Sequence, residues 1–544
     1  MKANTRITRR QALSLIGAGA GGAVLFGRAA TPTKAAAQAP AVLPHGKPIV
    51  LGVGAEADGL TRLLYTVELP SEFIDRYPVN YDLKGGSTKI ELGTAEKMPE
   101  ALDGGLRYRV KYRDDVYYHD GTKLDAEAVA YLANAHVDKN HPQFSLPGKR
   151  AWKQISRMAT LREAKVVDKL TVDFYLTKVT AAMLDWFAQA SYTGVPVKAL
   201  QMPGFDFANN EVGCGPYKKV EWQRNVRLVL ERWEKHYDKQ EGIAPQIIIR
   251  PIPELGARVA ALEAGEIDWV EGVPVEEAAR LRKNSNIRVM EARTLWVWFI
   301  HMDTRKKPFN DVRVRQALNY AIDKDTLIKD ILGGAGERSY SPLSKQFGNL
   351  YAGDKVTKYD YNPQKAKDLL KEAGYGSGFE SKISFPTQRT GQQKPAEMCQ
   401  FIQANLAAVG VKVALEEMEW AAFEAKRIAG EFAMAARGWT PSSADPDGVL
   451  LQNFHSTMVP PTQRAVAYLK DADVDKWIDT AIGTIDQAKR ANAFIEAQKR
   501  IVDLAPWIFI DHEIRYEATR SNLKGYVPHA LIPAGRGAVY AYKE

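Results

Sequence analysis

The chain has 544 residues, 45% of them apolar and 26% charged, with 74 Lys or Arg against 65 Asp or Glu. That length exceeds what one hydrophobic core supports, so at least two lobes are expected. The formal net charge of +9 is concentrated at the start: residues 1–37 hold six basic side chains and no acid, and without them 68 bases face 65 acids, a net charge of +3 that implies no nucleic-acid partner.

In chain order, Thr8-Arg9-Arg10-Gln11-Ala12-Leu13 follows a basic start and leads into a Gly/Ala-rich apolar run from Ala12 to Phe26. This is the pattern of a twin-arginine export signal, and small residues place the cleavage after Ala37. The run is about 15 residues, short of the roughly 20 that span a bilayer. No Cys follows it to be lipidated. The expectation is a signal peptide at residues 1–37 and a soluble periplasmic protein, not a lipoprotein.

Ile49–Val53 reads as a buried first strand, and Leu106 to Tyr112 alternates as a half-exposed strand should. Tyr117 to Thr122 makes a turn, after which Asp125 caps a helix through Ala126, Val129 and Leu132. Gln246–Arg250 is a strand, followed by a helix with Val259, Leu262 and Ala264, then Gly265 and the strand Ile267–Val270. The ordinary form of that unit is a right-handed crossover in an α/β sheet. Asp311 caps a helix whose apolar face is Val314, Ala317, Leu318, Ala321 and Ile322. Asp323 starts a second helix with Leu327, Ile328, Ile331 and Leu332, which ends at Gly333-Gly334, where a left-handed backbone costs no Cβ clash. A further α/β set follows: strand Ile383–Phe385, helix Ala396–Val409, strand Val411–Leu415 and helix Ala421–Ile428. A long helix then shows Ile485, Ala488, Ala493, Phe494, Ala497 and Ile501 on one face, ahead of a buried strand Trp507–Ile510. Cys214 and Cys399, the only cysteines, fall in segments assigned to different lobes and are expected to be free, buried thiols.

Several of these segments resemble one family. The run from Pro308 to Pro342, PFNDVRVRQALNYAIDKDTLIKDILGGAGERSYSP, is similar to the hallmark of the family 5 extracellular solute-binding proteins, the peptide and nickel receptors of ABC importers. Tyr117–Ala135 (YYHDGTKLDAEAVAYLANA), Gly213–Tyr217 (GCGPY, with Cys where the family usually has Thr) and Arg258–Pro274 (RVAALEAGEIDWVEGVP) resemble further family segments. The resemblance implies an α/β, two-lobe periplasmic binding protein (type II, cluster C) with an extra β-rich subdomain in the first lobe. Lobe I would comprise residues 45–294 and 506–544, with the subdomain at about 86–210, and lobe II residues 295–505. The chain would cross near Leu295 and return near Ala505. Ala57-Asp58-Gly59 stands where the family has an LDP-like opening.

The stretch Phe385–Phe423 looks like the dipeptide- and glutathione-binding branch, and there Arg389 matches an arginine that pairs with a peptide carboxylate. A guanidinium suits that task because its planar fork donates two parallel bonds and keeps its charge. Gly438–Asp447 is similar to the branch segment in which the Asp before Pro receives the α-amino group, and Asp445 is the match. Pro446 favours an extended Asp445, and Trp439 beside it offers an aromatic wall to an ammonium. On the residues alone, Arg389 also reads as a solvated loop arginine and Asp445-Pro446-Asp447 as turn chemistry. Glu56 and Tyr192 are the first-lobe candidates, while Trp296, Trp298 and Trp420 read as core.

No GxSxG, HExxH, P-loop or Gly-rich dinucleotide fingerprint is present, so no catalytic residue, metal ligand or cofactor is expected. His136 and His141 lie five apart at a helix end just ahead of Pro142, a poor geometry for one metal, and His455, near Asp445 in sequence, reads as a surface histidine. The expected function is the periplasmic substrate-binding component of an ABC importer. It would act as a monomer that captures a di- or oligopeptide between two lobes and delivers it to the membrane permease. The alternatives are the same fold holding a nickel chelate, an opine or another charged solute, a sensor component, and an enzyme exported folded with a cofactor.

Overall fold

The computed structural model describes residues 46–57, 59–60, 69–141, 160–189, 196–201, 212–387, 394–441, 443–460, 465–531 and 534–544. Eleven of the strands form one mixed sheet. We number them in chain order: β1 Ile49–Val53, β2 Tyr217–Gln223, β3 Arg227–Arg232, β4 Gln246–Pro251, β5 Trp269–Glu271, β6 Ile287–Met302, β7 Gly336–Arg338, β8 Phe379–Pro386, β9 Val411–Met418, β10 Met434–Trp439 and β11 Trp507–Arg520. Their order is β9-β8-β10-β6-β11-β5-β1-β4-β3-β2, with β7 pairing on β11.

β1 lies parallel between β4 and β5. All its residues but Val50 are buried, as in a strand covered on both faces. The strand-helix-strand unit read from the sequence therefore skips a place, since β4 and β5 are each neighbours of β1 and not of one another. At the other end β8 runs parallel to both β9 and β10. The two ends are joined by the long strands β6 and β11. Ile287–Arg293 of β6 pairs with Ile514–Arg520 of β11, whereas Val297–His301 pairs with Trp507–His512 and, on its other edge, with β10. The register breaks between Arg293 and Val297.

A separate antiparallel sheet holds Glu100–Leu102, Arg107–Lys111, Thr171–Leu176 and Leu161–Asp168, in that order. The helix Ala126–Ala135 packs on it, burying Val129 and Leu132, and the Asp125 side chain accepts from the Ala128 N–H as an N-cap. Asp311 and Asp323 cap in the same way, accepting from Arg313 N–H at 2.8 Å and Thr326 N–H at 3.0 Å. The second helix differs from its expected form: only Lys324–Thr326 is α-helical, and Leu327–Ile331 widens into a π turn. In a π turn residues five apart share a face, and Leu327 and Leu332 are both buried. The long helix begins at Gln487, not at Ile485, because Asp486 accepts from the Ala488 and Lys489 N–H groups and ends the preceding loop there. Ile485 is left 37% exposed. Cys214 and Cys399 are both buried and form no disulfide with one another, and the Cys214 thiol donates to the Arg76 carbonyl at 3.5 Å.

Behind the Gly213–Tyr217 turn, Glu241 is buried between Arg76 Nε at 2.7 Å and His236 Nε2 at 2.9 Å. Burial opposes its charge, but the Arg76 charge and the His236 bond outweigh it and hold the carboxyl at about 2. A carboxyl held below its ordinary value contributes stability above that value and loses it as pH falls through the folded one. Glu241→Gln is expected to lose about 2 to 3 kcal/mol at pH 7 and to flatten the fall in stability between pH 4.5 and pH 2, measured by urea unfolding. Identical acid limbs in the two proteins would show that Glu241 has no such role.

Candidate ligand-binding site

β10 is buried along its whole length and delivers Trp439 to the start of a loop. The indole is 6% exposed and donates through Nε1 to the Gly448 carbonyl at 2.9 Å, which closes the loop on itself. The Arg437 guanidinium lies 5.3 Å from its ring centre. Pro446 disfavours a helical backbone at the residue before it, and Asp445 is extended at φ −82°, ψ 135°. Its Oδ1 accepts from the Asp447 N–H at 3.0 Å, and its Oδ2 accepts from Arg490 Nη2. Arg490 comes from the helix Gln487–Leu504, donates through Nε to the Ala481 carbonyl at 3.2 Å and lies 5.0 Å from the Phe494 ring centre.

Tyr81 meets this loop from a distant part of the chain. Its hydroxyl donates to Asp185 Oδ1 at 2.9 Å and accepts from Gln189 Nε2 at 3.1 Å and from the Ala444 N–H at 3.2 Å. That saturates a phenol oxygen, which has one donor and two acceptor positions. Burial, and then the neighbouring Asp445, push the Asp185 carboxyl up to about 7. Burial, followed by Asp445 and Asp185, holds the Asp447 carboxyl well above the usual carboxylate range. Three carboxyls thus face one guanidinium. The surplus of negative charge favours protons or an added cation such as an ammonium.

Asp445 and Trp439 are therefore brought into one loop, with the indole packed into the loop's own backbone. The Glu56 carboxylate is engaged elsewhere, accepting from Trp222 Nε1 and the Asn225 N–H, both at 3.0 Å, and so holding the β2–β3 hairpin. Arg389 and Tyr192 lie outside the described residues. Trp298 is 3% exposed in the core, and Trp420 stacks on Phe423. Trp296 lies flat against β10, where a Cβ on Gly438 would fall 2.1 Å from its Nε1. His455 is not a surface residue: it is 7% exposed, with Nδ1 2.8 Å from Thr457 Oγ1 and Nε2 3.4 Å from Asp479. The turn Ser456–Met458 folds it in against the helix Ala472–Ile482. Among the described residues no group of three or more His, Cys, Asp or Glu is disposed to hold a metal ion, and no helix is long and apolar enough to cross a membrane.

Sequence reasoning missed Tyr81, Asp185 and Arg490. For Arg490 a signal existed, since it occupies the apolar stripe it shares with Ala493, Phe494, Ala497 and Ile501, where a charge requires a buried partner. Tyr81 and Asp185 carry no local signal.

A mixed sheet whose ends are joined by two long strands thus carries a buried anionic cluster where distant segments meet. The sequence description of the bacterial extracellular solute-binding proteins, family 5 Middle, matches residues 89–460. Heme-binding protein A of Haemophilus influenzae is 30% identical over 84% of this chain and 85% of its own length. The dipeptide-binding protein of Escherichia coli is 30% identical over 83% of this chain and 86% of its own. The periplasmic binding protein DppA of Helicobacter pylori, solved with the peptide STSA, superposes with a TM-score of 0.75 at 25% identity, covering 92% of this chain and 99% of that one. The chain belongs to the family 5 extracellular solute-binding proteins. Members of this family are periplasmic, and these relatives are binding proteins.

Proposed function

We propose that this protein is the substrate-binding component of an ABC importer and captures a short peptide between its two lobes for delivery to a membrane permease. The observation that carries the reading is the buried anionic cluster around Asp445, which has room in its charge balance for a peptide's α-ammonium. Arg389 supplies the matching cation for the carboxylate at the other end, so that both termini of a zwitterion are recognised. Family membership supports the importer role, and the dipeptide-binding and peptide-complexed relatives support the cargo. We place the lobe boundaries near Leu295, where the register of β6 on β11 breaks between Arg293 and Val297, and near Ala505, just ahead of β11. In this reading residues 1–37 direct export by the twin-arginine route and are removed after Ala37, leaving a monomer with no lipid anchor.

Native mass spectrometry of the exported, purified protein, followed by denaturation, tests the cargo. A peptide-sized adduct is expected, and Arg389→Ala is expected to weaken its binding by about 2 kcal/mol or more, a thirtyfold loss, because a ligand carboxylate is left without its partner. An adduct that carries a metal or a tetrapyrrole would overturn the peptide reading, and an unchanged affinity in Arg389→Ala would refute the two-ended clamp.

A further inference from the structure

The contact between Tyr81 and the Asp445 loop joins parts of the chain that are 363 residues apart. It is built from two half-sites. One holds Tyr81, at the end of the strand Val79–Tyr81, with Asp185 and Gln189 from the helix Met183–Phe187 and the turn after it. The other holds the Ala444 N–H, Asp445, Asp447 and Arg490. The charged and titratable groups facing the contact are those three carboxyls, the Tyr81 hydroxyl and the Arg490 guanidinium. Tyr108, within the field of Arg490, and His529, whose ring centre lies 6.2 Å from that of Tyr81, complete the set. His529 Nε2 bonds the Ser87 carbonyl at 2.9 Å, and burial, reinforced by Arg536, holds the imidazole down at about 3, so it adds no charge to the cluster.

We propose that Tyr81 and Asp185 form a proton-dependent clasp that holds the Ala444–Asp447 loop against the first lobe. The inference rests on the two-lobe reading above and needs no ligand. When the half-sites separate, water reaches the carboxyls, and Asp185 returns towards its ordinary 3.8. When they meet, Asp185 and Asp447 come within the field of Asp445, whose cation among the described residues is Arg490. Closing therefore takes up protons between about pH 4 and pH 7, so falling pH favours the joined state in that window and rising pH opens it. Tyr81 is the positioning residue. Its hydroxyl bonds Asp185 in one half-site and the Ala444 N–H in the other, so it ties the loop backbone to the carboxyl whose charge burial and Asp445 disfavour in the joined state. An ammonium brought by a ligand would do the work of the protons and free the clasp from pH.

The test is hydrogen exchange of the ligand-free protein, followed by mass spectrometry of peptides spanning Ala444, with each rate divided by its intrinsic rate. In the wild type, protection is expected to fall as pH rises from 5 to 8, in parallel with an increase in the radius of gyration seen by X-ray scattering. Tyr81→Phe is expected to lower protection about fivefold at pH 5 while leaving the fold intact by circular dichroism. Asp185→Asn is expected to reduce the pH slope and Asp185→Asn/Asp447→Asn to remove it, with protection held at its pH 5 value. A wild-type slope that survives in the double variant, or protection that is unchanged in Tyr81→Phe, would overturn the clasp. Because no peptide is present, failure of the peptide reading leaves these results as they stand, and peptide binding together with a flat profile would sink the clasp alone.

Discussion

Replacing Arg490 with Met is expected to cost about 3 to 5 kcal/mol of stability, the usual consequence of removing one partner from a buried ion pair. The Arg490 side chain is 7% exposed and that of Asp445 1%, so water does not reach the carboxylate that remains. Asp185 and Asp447 make the loss worse, because each already sits in the field of Asp445 and, among the described residues, the cluster has no other cation. The cost should be largest at alkaline pH, where none of the three carboxyls is relieved by a proton. Urea unfolding at pH 8 and pH 5 measures both the size and the direction of the effect. Adding Asp445→Asn to Arg490→Met should recover a good part of the loss, since the amide oxygen still accepts from the Asp447 N–H without bringing a charge. A single variant as stable as the wild type would mean that Asp445 is hydrated in solution and the dry cluster is not the working state.

Trp507→Ala is expected to be comparably severe, at about 3 to 5 kcal/mol, for a reason unrelated to charge. The indole is fully buried at the start of β11, stacked on Phe299 with ring planes 4° apart, and Phe454 closes on it at 4.3 Å. Deleting it opens a cavity against β6 and β11, the two long strands that join the ends of the sheet. Trp507→Phe keeps much of the volume and should cost far less. Urea midpoints for the two variants separate a packing effect, in which Phe rescues, from a general intolerance of change at this position. Two equally unstable variants would contradict the packing account.

What could be read from the sequence was mostly what short-range chemistry determines. The caps at Asp125, Asp311 and Asp323 are bonds between residues two or three apart, and each is present in the structure. The placement of β1 between β4 and β5 depends instead on pairing across about two hundred residues, for which no local pattern exists. The π turn at Leu327–Ile331 has the same origin: its five-residue spacing of buried leucines is visible in the sequence, but an α-helix through Ile328 and Ile331 fits the apolar pattern as well. The site divides along the same line. Asp445 was named because Gly438–Asp447 resembles a family segment; what the residues alone gave was the extended backbone that Pro446 imposes before it. Arg490 lies 45 residues from it and Tyr81 still further, so only the fold reveals that they meet.

The two cysteines have a practical consequence. Burial, and after it the charge of Asp75, push the Cys214 thiol up to about 12, and burial raises Cys399 as well. The thiolate is the species that reacts, so neither sulfur offers one to reagents at neutral pH while the chain stays folded. The natural protein is thus a silent background for maleimide chemistry. A single cysteine added on each side of the proposed lobe boundary would take a fluorophore without prior removal of Cys214 or Cys399, and the distance between two such dyes would report any movement of one side against the other.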